Sequence, residues 1–329
     1  MASQSQSSTT TAPTATVKSP LSDQPPAHVR DLPRAFILEQ LRSYYGTTPP
    51  DEAVESDYAL WRCAETGLEF AWPMLPGNAR FYNWISQFES YYPTARWEYQ
   101  GAQSFIKTAN AATGQELKIL DVGCGTGDFL RALDFLPAER KYAVDMNEPA
   151  ITACRALGFH AHCGTLEEVT RRGFVRPGEI PWVTSFHCLE HVADPVGFVR
   201  SLVNTAGAGG CVLISTPYSP MSFESEWFDI MNHPPHHLTR WNLTAYKKLA
   251  ALLGLKLGWL TPSSSPLRRT LDTFRLLHYG PHQRVGKFKF ATDLLCHFPK
   301  LTSLYSRQTQ RSKHDGITAD VILVELTVP

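Results

Sequence analysis

Short apolar runs recur along the chain from residue 117 onward, separated by stretches whose apolar positions repeat at helical spacing. In order they read LKILDVG, KYAVDM, HAHCGT, WVTSFHC, GCVLIST and LKLGWLT. Runs this short, bounded by glycine and turn residues, predict strands, and their alternation with helical patterns predicts parallel strands joined by crossovers. The fold class that follows is α/β, a doubly wound sheet. The chain closes on ADVILVELTV, a last strand over residues 319–328 with no helix after it. No internal repeat interrupts this order.

The first hundred residues follow no such rhythm. Residues 1–28 are rich in Ser, Thr, Pro and Ala and nearly devoid of large apolar side chains. Such a composition buries too little surface to offset the entropy of ordering, and predicts a disordered tail. It is neither Arg-rich nor amphipathic, so it does not read as a transit peptide. Residues 29–100 predict one or two short strands, then helices carrying Phe81, Trp84, Phe88 and Trp97. They read as an aromatic cap packed on the main domain, or as one wall of its substrate site. The α/β domain is expected over residues 101–329.

Composition narrows the function classes. Lys and Arg number 31 against 31 Asp and Glu, so wholesale polyanion binding, to DNA above all, is not indicated. No apolar run approaches the roughly 20 residues needed to cross a bilayer. The 7 cysteines include no C-x-x-C pair. That argues against a zinc ribbon or a disulfide framework and fits a reducing compartment, with the cytoplasm as the expected location.

The first strand of the regular region runs into ILDVGCGTGDFLRAL. Gly123, Gly125 and Gly127 form G-x-G-x-G between a strand and a helix, where glycine permits a sharp turn and exposes main-chain N–H groups to a ligand. A dinucleotide fingerprint has its third glycine one position later. Here that position is Asp128, an acid at a helix start where a pyrophosphate needs positive charge. A cofactor bearing an ammonium and a sulfonium suits the loop better. Asp145 ends the second strand, where an acid can accept both hydroxyls of a ribose. Met146 beside it can pack on an adenine face.

These segments resemble the motifs of class I S-adenosylmethionine-dependent methyltransferases. LDVGCGTGDFL resembles their first motif, YAVDMN the second, CGTLEEV the third and TSFHCLEHVADP the fourth, over roughly residues 100–262 plus the last strand. The resemblance implies a Rossmann-like seven-stranded sheet with an antiparallel last strand, and S-adenosyl-L-methionine as cofactor. It implies that Asp121 and the loop residues Gly123, Cys124, Gly125 and Gly127 hold the methionine part, Asp145 the ribose, and Thr165 and Leu166 flank adenine. No N-P-P-Y motif of amino methylation follows the fourth strand.

The fourth motif carries His187, Glu190 and His191 at the carboxyl end of its strand, where open α/β sheets bind their ligands. A helical turn there would bring the three onto one face, with Asp194 capping the next helix and Pro195 as its first residue. The long segment 216–241 adds His233, His236 and His237 at the same edge. Three readings stand. In the first, metal-free, His191, His236 or His237 is a general base, Glu190 orients it, and His187 hydrogen-bonds the cofactor. In the second, His187, Glu190, His191 and one loop histidine hold a divalent metal. Small-RNA 2′-O-methyltransferases of the Hen type and ubiquinone-pathway O-methyltransferases are similar here, with a metal-binding Glu-x-x-Glu-His segment. His187 replaces their first Glu, and imidazole suits transition metals better than magnesium. In the third, the cluster is a hydrogen-bond network that only shapes the loop. The expectation carried forward is metal-free.

A basic insert over residues 263–313 carries Arg268, Arg269, Arg275, Arg284, Lys287, Lys289, Lys300, Arg307, Arg311 and Lys313, interleaved with aromatics. It reads as a lid for an anionic acceptor, since fixed positive charge near a cleft concentrates anions. WRCAETGLEFAWP faintly resembles the zinc-knuckle start of some sugar C-methyltransferases, but only Cys63 remains of such a ligand set. The expected acceptor is therefore a small molecule, or one linked to a lipid or sugar, methylated on oxygen or carbon. An RNA end is the alternative acceptor, and a catalytically silent cofactor-binding protein the alternative class.

Overall fold

Alternating apolar residues in the N-terminal region build a small antiparallel sheet, not a purely helical cap. In the computed structural model, which describes residues 17–88, 96–113, 117–283, 285–314 and 319–329, β1 (Ala27–Leu32), β2 (Tyr58–Arg62) and β3 (Glu69–Trp72) pair in sequence order. Helix α1 (Arg34–Tyr45) turns Ile37 and Leu41 inward, and α2 (Ala79–Ile85) turns in Phe81 and Trp84. Helix α3 (Trp97–Thr113) belongs elsewhere: Ala102 and Ile106 are buried among residues of the main sheet such as Ile119, Leu213 and Leu323. The α/β unit thus begins with α3, a few residues before the expected boundary, because this helix is amphipathic toward the large sheet.

The apolar runs are the strands β4 (Ile119–Val122), β5 (Lys141–Asp145), β6 (His160–Cys163), β7 (Trp182–Phe186), β8 (Cys211–Pro217), β10 (Lys256–Leu260) and β11 (Val321–Thr327). They form one seven-stranded sheet ordered β10-β11-β8-β7-β4-β5-β6. All neighbours run parallel except β11, which is antiparallel to both β8 and β10. The expected α/β class and antiparallel last strand are therefore present. Central strands are apolar on both faces because crossover helices cover both. One such helix, α7 (Pro195–Ala206), starts as its sequence predicts: Asp194 accepts from Gly197 N at 2.9 Å, Pro195 is the first residue, and Val199 and Leu202 are fully buried.

Three expectations need correction. The tail assigned to residues 1–28 lies outside the described residues over 1–16. The remainder is packed: Leu21 is buried in the main core, and β1 begins at Ala27. Second, the segment 216–241 is not an irregular loop throughout. Its end, β9 (Thr239–Arg240), adds to the edge of β3, so the N-terminal sheet holds it as a fourth strand. Third, the basic insert, built of α9 (Pro266–Tyr279), α10 (Lys287–Cys296) and α11 (Phe298–His314), does not present all its charge. Arg269 is buried and donates to Gln308 Oε1 (3.0 Å), Gln308 O (3.2 Å) and Ser264 O (2.6 Å), stapling α9 to α11. Arg307 pairs with Glu226, Lys289 with Asp293 and Arg268 with Asp272. Arg275, Lys287 and Lys300 are exposed, while Arg284 and the side chains of Arg311 and Lys313 lie outside the described residues.

Asp121 in β4 is buried and accepts from Thr184 Oγ1 of β7 at 2.7 Å. Burial pushes its carboxyl up to about 8, so the folded chain keeps a proton that an unfolded Asp releases near pH ~4. This contribution to stability is full below about pH 4 and is lost as pH rises through about 8. Asp121→Asn, uncharged throughout, is expected to flatten the fall of Tm from about pH 5 to about pH 8 in thermal scans. A slope equal to that of the wild type contradicts the assignment.

Candidate functional site

Beyond β4 the chain turns through Gly123, Gly125 and Gly127 with φ of 75°, 51° and 80°. A side chain at Gly123 is excluded twice, by this conformation and by the end of β7, since its Cβ would lie 2.1 Å from Cys188 Sγ. Gly125 differs: a Cβ there would meet nothing within 4 Å, so the outer bend of the loop faces open space. Asp145, at the end of β5, accepts from Gly125 N and Asn147 N, each at 2.8 Å. A carboxylate has about four acceptor positions, so it can take two further hydroxyl donors. Met146 beside it is 77% exposed, an apolar face at the same strand edge. Asp128 opens α4 (Asp128–Ala132), where its carboxylate pairs with Arg131 and accepts from Thr126 Oγ1 at 3.1 Å.

This cradle fits a cationic nucleoside cofactor of the S-adenosylmethionine kind. Open space above the loop and spare acceptor positions on Asp145 match ribose hydroxyls, and Met146 offers an apolar face to the base. Other predicted residues have more limited parts. Thr165 accepts from Glu168 N (3.2 Å) as the cap of α6 (Leu166–Arg171), and Leu166 is buried. Both side chains hold the turn, which leaves main-chain contact with a ligand. Cys124 is buried with its Sγ 3.9 Å from Cys154 Sγ.

The end of β7 is strained and charged. His187, with φ of 52°, is the one non-glycine residue among those described with positive φ, a conformation costing about 1–2 kcal/mol. It is held on three sides. Its N–H donates to Ser215 O (2.9 Å), its Nε2 bonds Glu98 Oε1 (2.6 Å), and its Nδ1 lies 3.3 Å from Glu190 Oε1. Burial pulls the pKa of His187 down, but Glu190 and Glu98 outweigh it and raise it overall. Burial likewise raises Glu98, and the bond to His187 reverses this into a net lowering. The result is a buried imidazole held between two acidic side chains. Both its ring nitrogens face Glu98 or Glu190, which leaves neither for the bond to the cofactor expected of His187, and the alternative metal set of His187, Glu190 and His191 is not brought together.

His191 turns the other way, toward the segment 216–241. Arg240 fixes that segment through Glu69 of β3 (3.2 Å) and through Glu224. Leu238 N donates to Glu190 O at 2.7 Å. His233 is occupied by this anchor: its Nε2 accepts from Arg240 Nη1 at 3.0 Å, and burial, then Arg240, pushes its pKa down to about 3. His236 and His237 are carried to His191 instead. His191 Nδ1 lies 2.6 Å from His236 O, His236 Nδ1 2.8 Å from Met231 O, and His237 Nδ1 3.0 Å from Asn232 Oδ1. Each partner is an oxygen acceptor, so each Nδ1 carries the proton and each Nε2 the lone pair. One ring nitrogen from each histidine lies within 4.8 Å of the other two. Burial first, and then the neighbouring imidazoles, holds the pKa of His236 and of His237 well below the usual range. Tyr82 of α2 closes the group, its ring centroid 6.4 Å from that of His191 and 6.2 Å from that of His236.

The predicted cluster thus divides in two, His187 with Glu190 and His191 with His236 and His237. Sequence reasoning missed Glu98, Asn232 and Tyr82. Glu98 lies 89 positions from His187, and nothing in its local pattern announces a partner. Asn232 lay within the histidine-rich segment and could have been flagged as a polar side chain beside it.

Comparison with known proteins agrees with this geometry. Residues 95–258 match the family model of a methyltransferase domain. A ubiquinone biosynthesis O-methyltransferase of Aliivibrio fischeri is 31% identical over 121 residues, which is 34% of this chain and 47% of that protein. The enzyme of the same name from Xanthomonas campestris pv. campestris is 28% identical over 102 residues, 30% of this chain and 42% of that protein. The chain therefore spans under half the length of these relatives. Among solved structures, a SAM-dependent methyltransferase from Archaeoglobus fulgidus covers 70% of this chain and 94% of its own at 14% identity and a TM-score of 0.44. The plantazolicin methyltransferase BamL covers 76% of this chain and 91% of its own at 12% identity and a TM-score of 0.47. With the glycine loop, the acid that ends β5 and the sheet order, the matched domain makes this chain a member of the class I S-adenosylmethionine-dependent methyltransferase superfamily.

Proposed function

We propose that this protein transfers a methyl group from S-adenosyl-L-methionine to a small-molecule acceptor, at a hydroxyl oxygen or an acidic carbon. The observation that carries the reading is the group of three imidazoles. Their Nδ1 atoms are fixed on oxygen acceptors, and one of them, His191, follows directly on the β7 end that packs against the glycine loop, where the segment 216–241 brings His236 and His237 to it. When bound, the cofactor supplies an electrophilic methyl group on a sulfonium. The chain supplies the rest. Asp145 and the loop N–H groups orient the cofactor, and Tyr82 with the buried histidines keeps water from the acceptor side. His191, the most accessible of the three, offers its Nε2 lone pair to the acceptor's proton. Glu98, His187 and Glu190 act through the backbone, holding the turn that aims His191.

The ubiquinone-pathway relatives support an oxygen acceptor, since O-methylation is what their name states. The exposed Arg275, Lys287 and Lys300 support an acceptor with an anionic or lipid-linked part. The inward staple made by Arg269 weighs against an RNA-binding face. All seven cysteines are free thiols, which supports action in the cytoplasm. Among the described residues no helix is long and apolar enough to cross a membrane.

Incubation with methyl-labelled cofactor and a fractionated cell extract should place label in the polar or lipid fraction. Label in the RNA fraction would overturn the small-molecule reading. Asp145→Ala is expected to weaken S-adenosylhomocysteine binding about 10- to 100-fold in calorimetric titration, the loss of hydrogen bonds to a charged acceptor. Unchanged affinity contradicts the cradle. His191→Ala should lower kcat by about 10²–10⁴ while leaving that affinity as in the wild type, and undiminished turnover contradicts the acid–base role.

A further inference from the structure

We infer that His191, His236 and His237 form a binding site for a zinc-class divalent metal ion. The inference rests on the reading of this crevice as the acceptor site and names what holds the acceptor there. Among the described residues these three form the one group of histidine, cysteine or acidic side chains whose ligand atoms converge closely enough to hold an ion, all within 4.8 Å of one another. A tetrahedral site with metal–nitrogen bonds of about 2.0–2.1 Å needs nitrogens about 3.4 Å apart, so the rings have only a short way to draw in.

The hydrogen bonds point to the same ligand. A metal-binding histidine donates its other ring N–H to a carbonyl or carboxylate, which fixes the tautomer and aims the lone pair. Here that partner exists three times over: His236 O for His191, Met231 O for His236 and Asn232 Oδ1 for His237. Three imidazoles on carbonyl oxygens are a costly way to fill a protein interior with polar groups. As a ligand set they are well prepared. Nitrogen-only ligation favours zinc and its transition-metal neighbours over magnesium or calcium. Three protein ligands leave the fourth position of zinc open, and His191 is the one of the three not fully buried, so that position faces the crevice. An acceptor oxygen is the natural occupant. When bound, the ion would take the part given above to the lone pair of His191: it would hold that oxygen and favour its deprotonated form, the proton leaving to bulk water as the acceptor binds.

The set differs from the one the sequence suggested. His187 pairs with Glu190 and with Glu98, while a second loop histidine, His237, joins His191 and His236.

The test uses the full chain, purified without a histidine tag, stripped with chelator and titrated with zinc, with bound metal read by elemental analysis. One equivalent per chain is expected, and cobalt in its place should give the intense visible absorption of a four-coordinate site. His237→Gln should abolish stoichiometric retention. Asn232→Ala, which touches no ion, should weaken zinc affinity about 10- to 100-fold, as loss of the group that orients a ligand does. S-adenosylhomocysteine affinity serves as the folding control for both. Wild-type protein that binds no zinc, or binds it equally after His237→Gln, overturns the metal site. If such protein still transfers methyl groups with chelator present and loses the activity on His191→Ala, the methyltransferase reading stands without the metal.

Discussion

The site depends on one residue's backbone. Leu238 donates its N–H to Glu190 O at 2.7 Å and accepts from Ala71 N at 2.8 Å. It is buried, so neither bond has water as an alternative partner. This bridge joins the turn after β7, the histidine segment and the N-terminal sheet. Without it the two halves of the imidazole group would belong to separate elements, one at the end of β7 and the other on a long connection. The β3–β9 pairing and Arg240 on Glu69 and Glu224 reinforce the same junction. The N-terminal region is therefore part of the candidate site's architecture, because it holds the segment 216–241 against the large sheet.

A second constraint acts on the other side of the turn. His187 occupies a left-handed conformation that only surrounding structure can impose. The two acids flanking its ring supply that hold, and one of them, Glu98, comes from α3, the helix that precedes the first strand of the main sheet. Removing one partner would leave a buried polar group without its counterpart, which costs more than the hydrogen bond contributes. The turn at β7 is thus clamped by α3 on one face and by Leu238 on the other, and His191 emerges between the two clamps.

Much of this was legible in the sequence, for reasons specific to each part. The glycine loop was readable because Gly123, Gly125 and Gly127 satisfy a local backbone requirement that only glycine meets. Asp194-Pro195 was readable because a helix cap is a property of neighbouring residues. The α/β class followed from strand and helix periodicity, and the seven strands with an antiparallel last one from the family resemblance. What stayed hidden was long-range. That His187 would face Glu98, that Arg269 would turn inward to Gln308, and that β9 would join β3 all depend on pairings between distant segments. The polar residues of FHCLEHVADP stood out in the sequence as candidates, but their division into two groups follows from the strained turn at His187, which periodicity cannot show.

Methyl transfer to an acceptor beside His191 requires the cofactor cradle and the three-histidine group to open into one crevice. A crystal structure with S-adenosylhomocysteine tests this most directly. The ribose hydroxyls are expected on Asp145, the adenine against Met146, and the sulfur directed toward His191 with no protein wall between them. A sulfur directed away from His191, or separated from it by Tyr82, would contradict it.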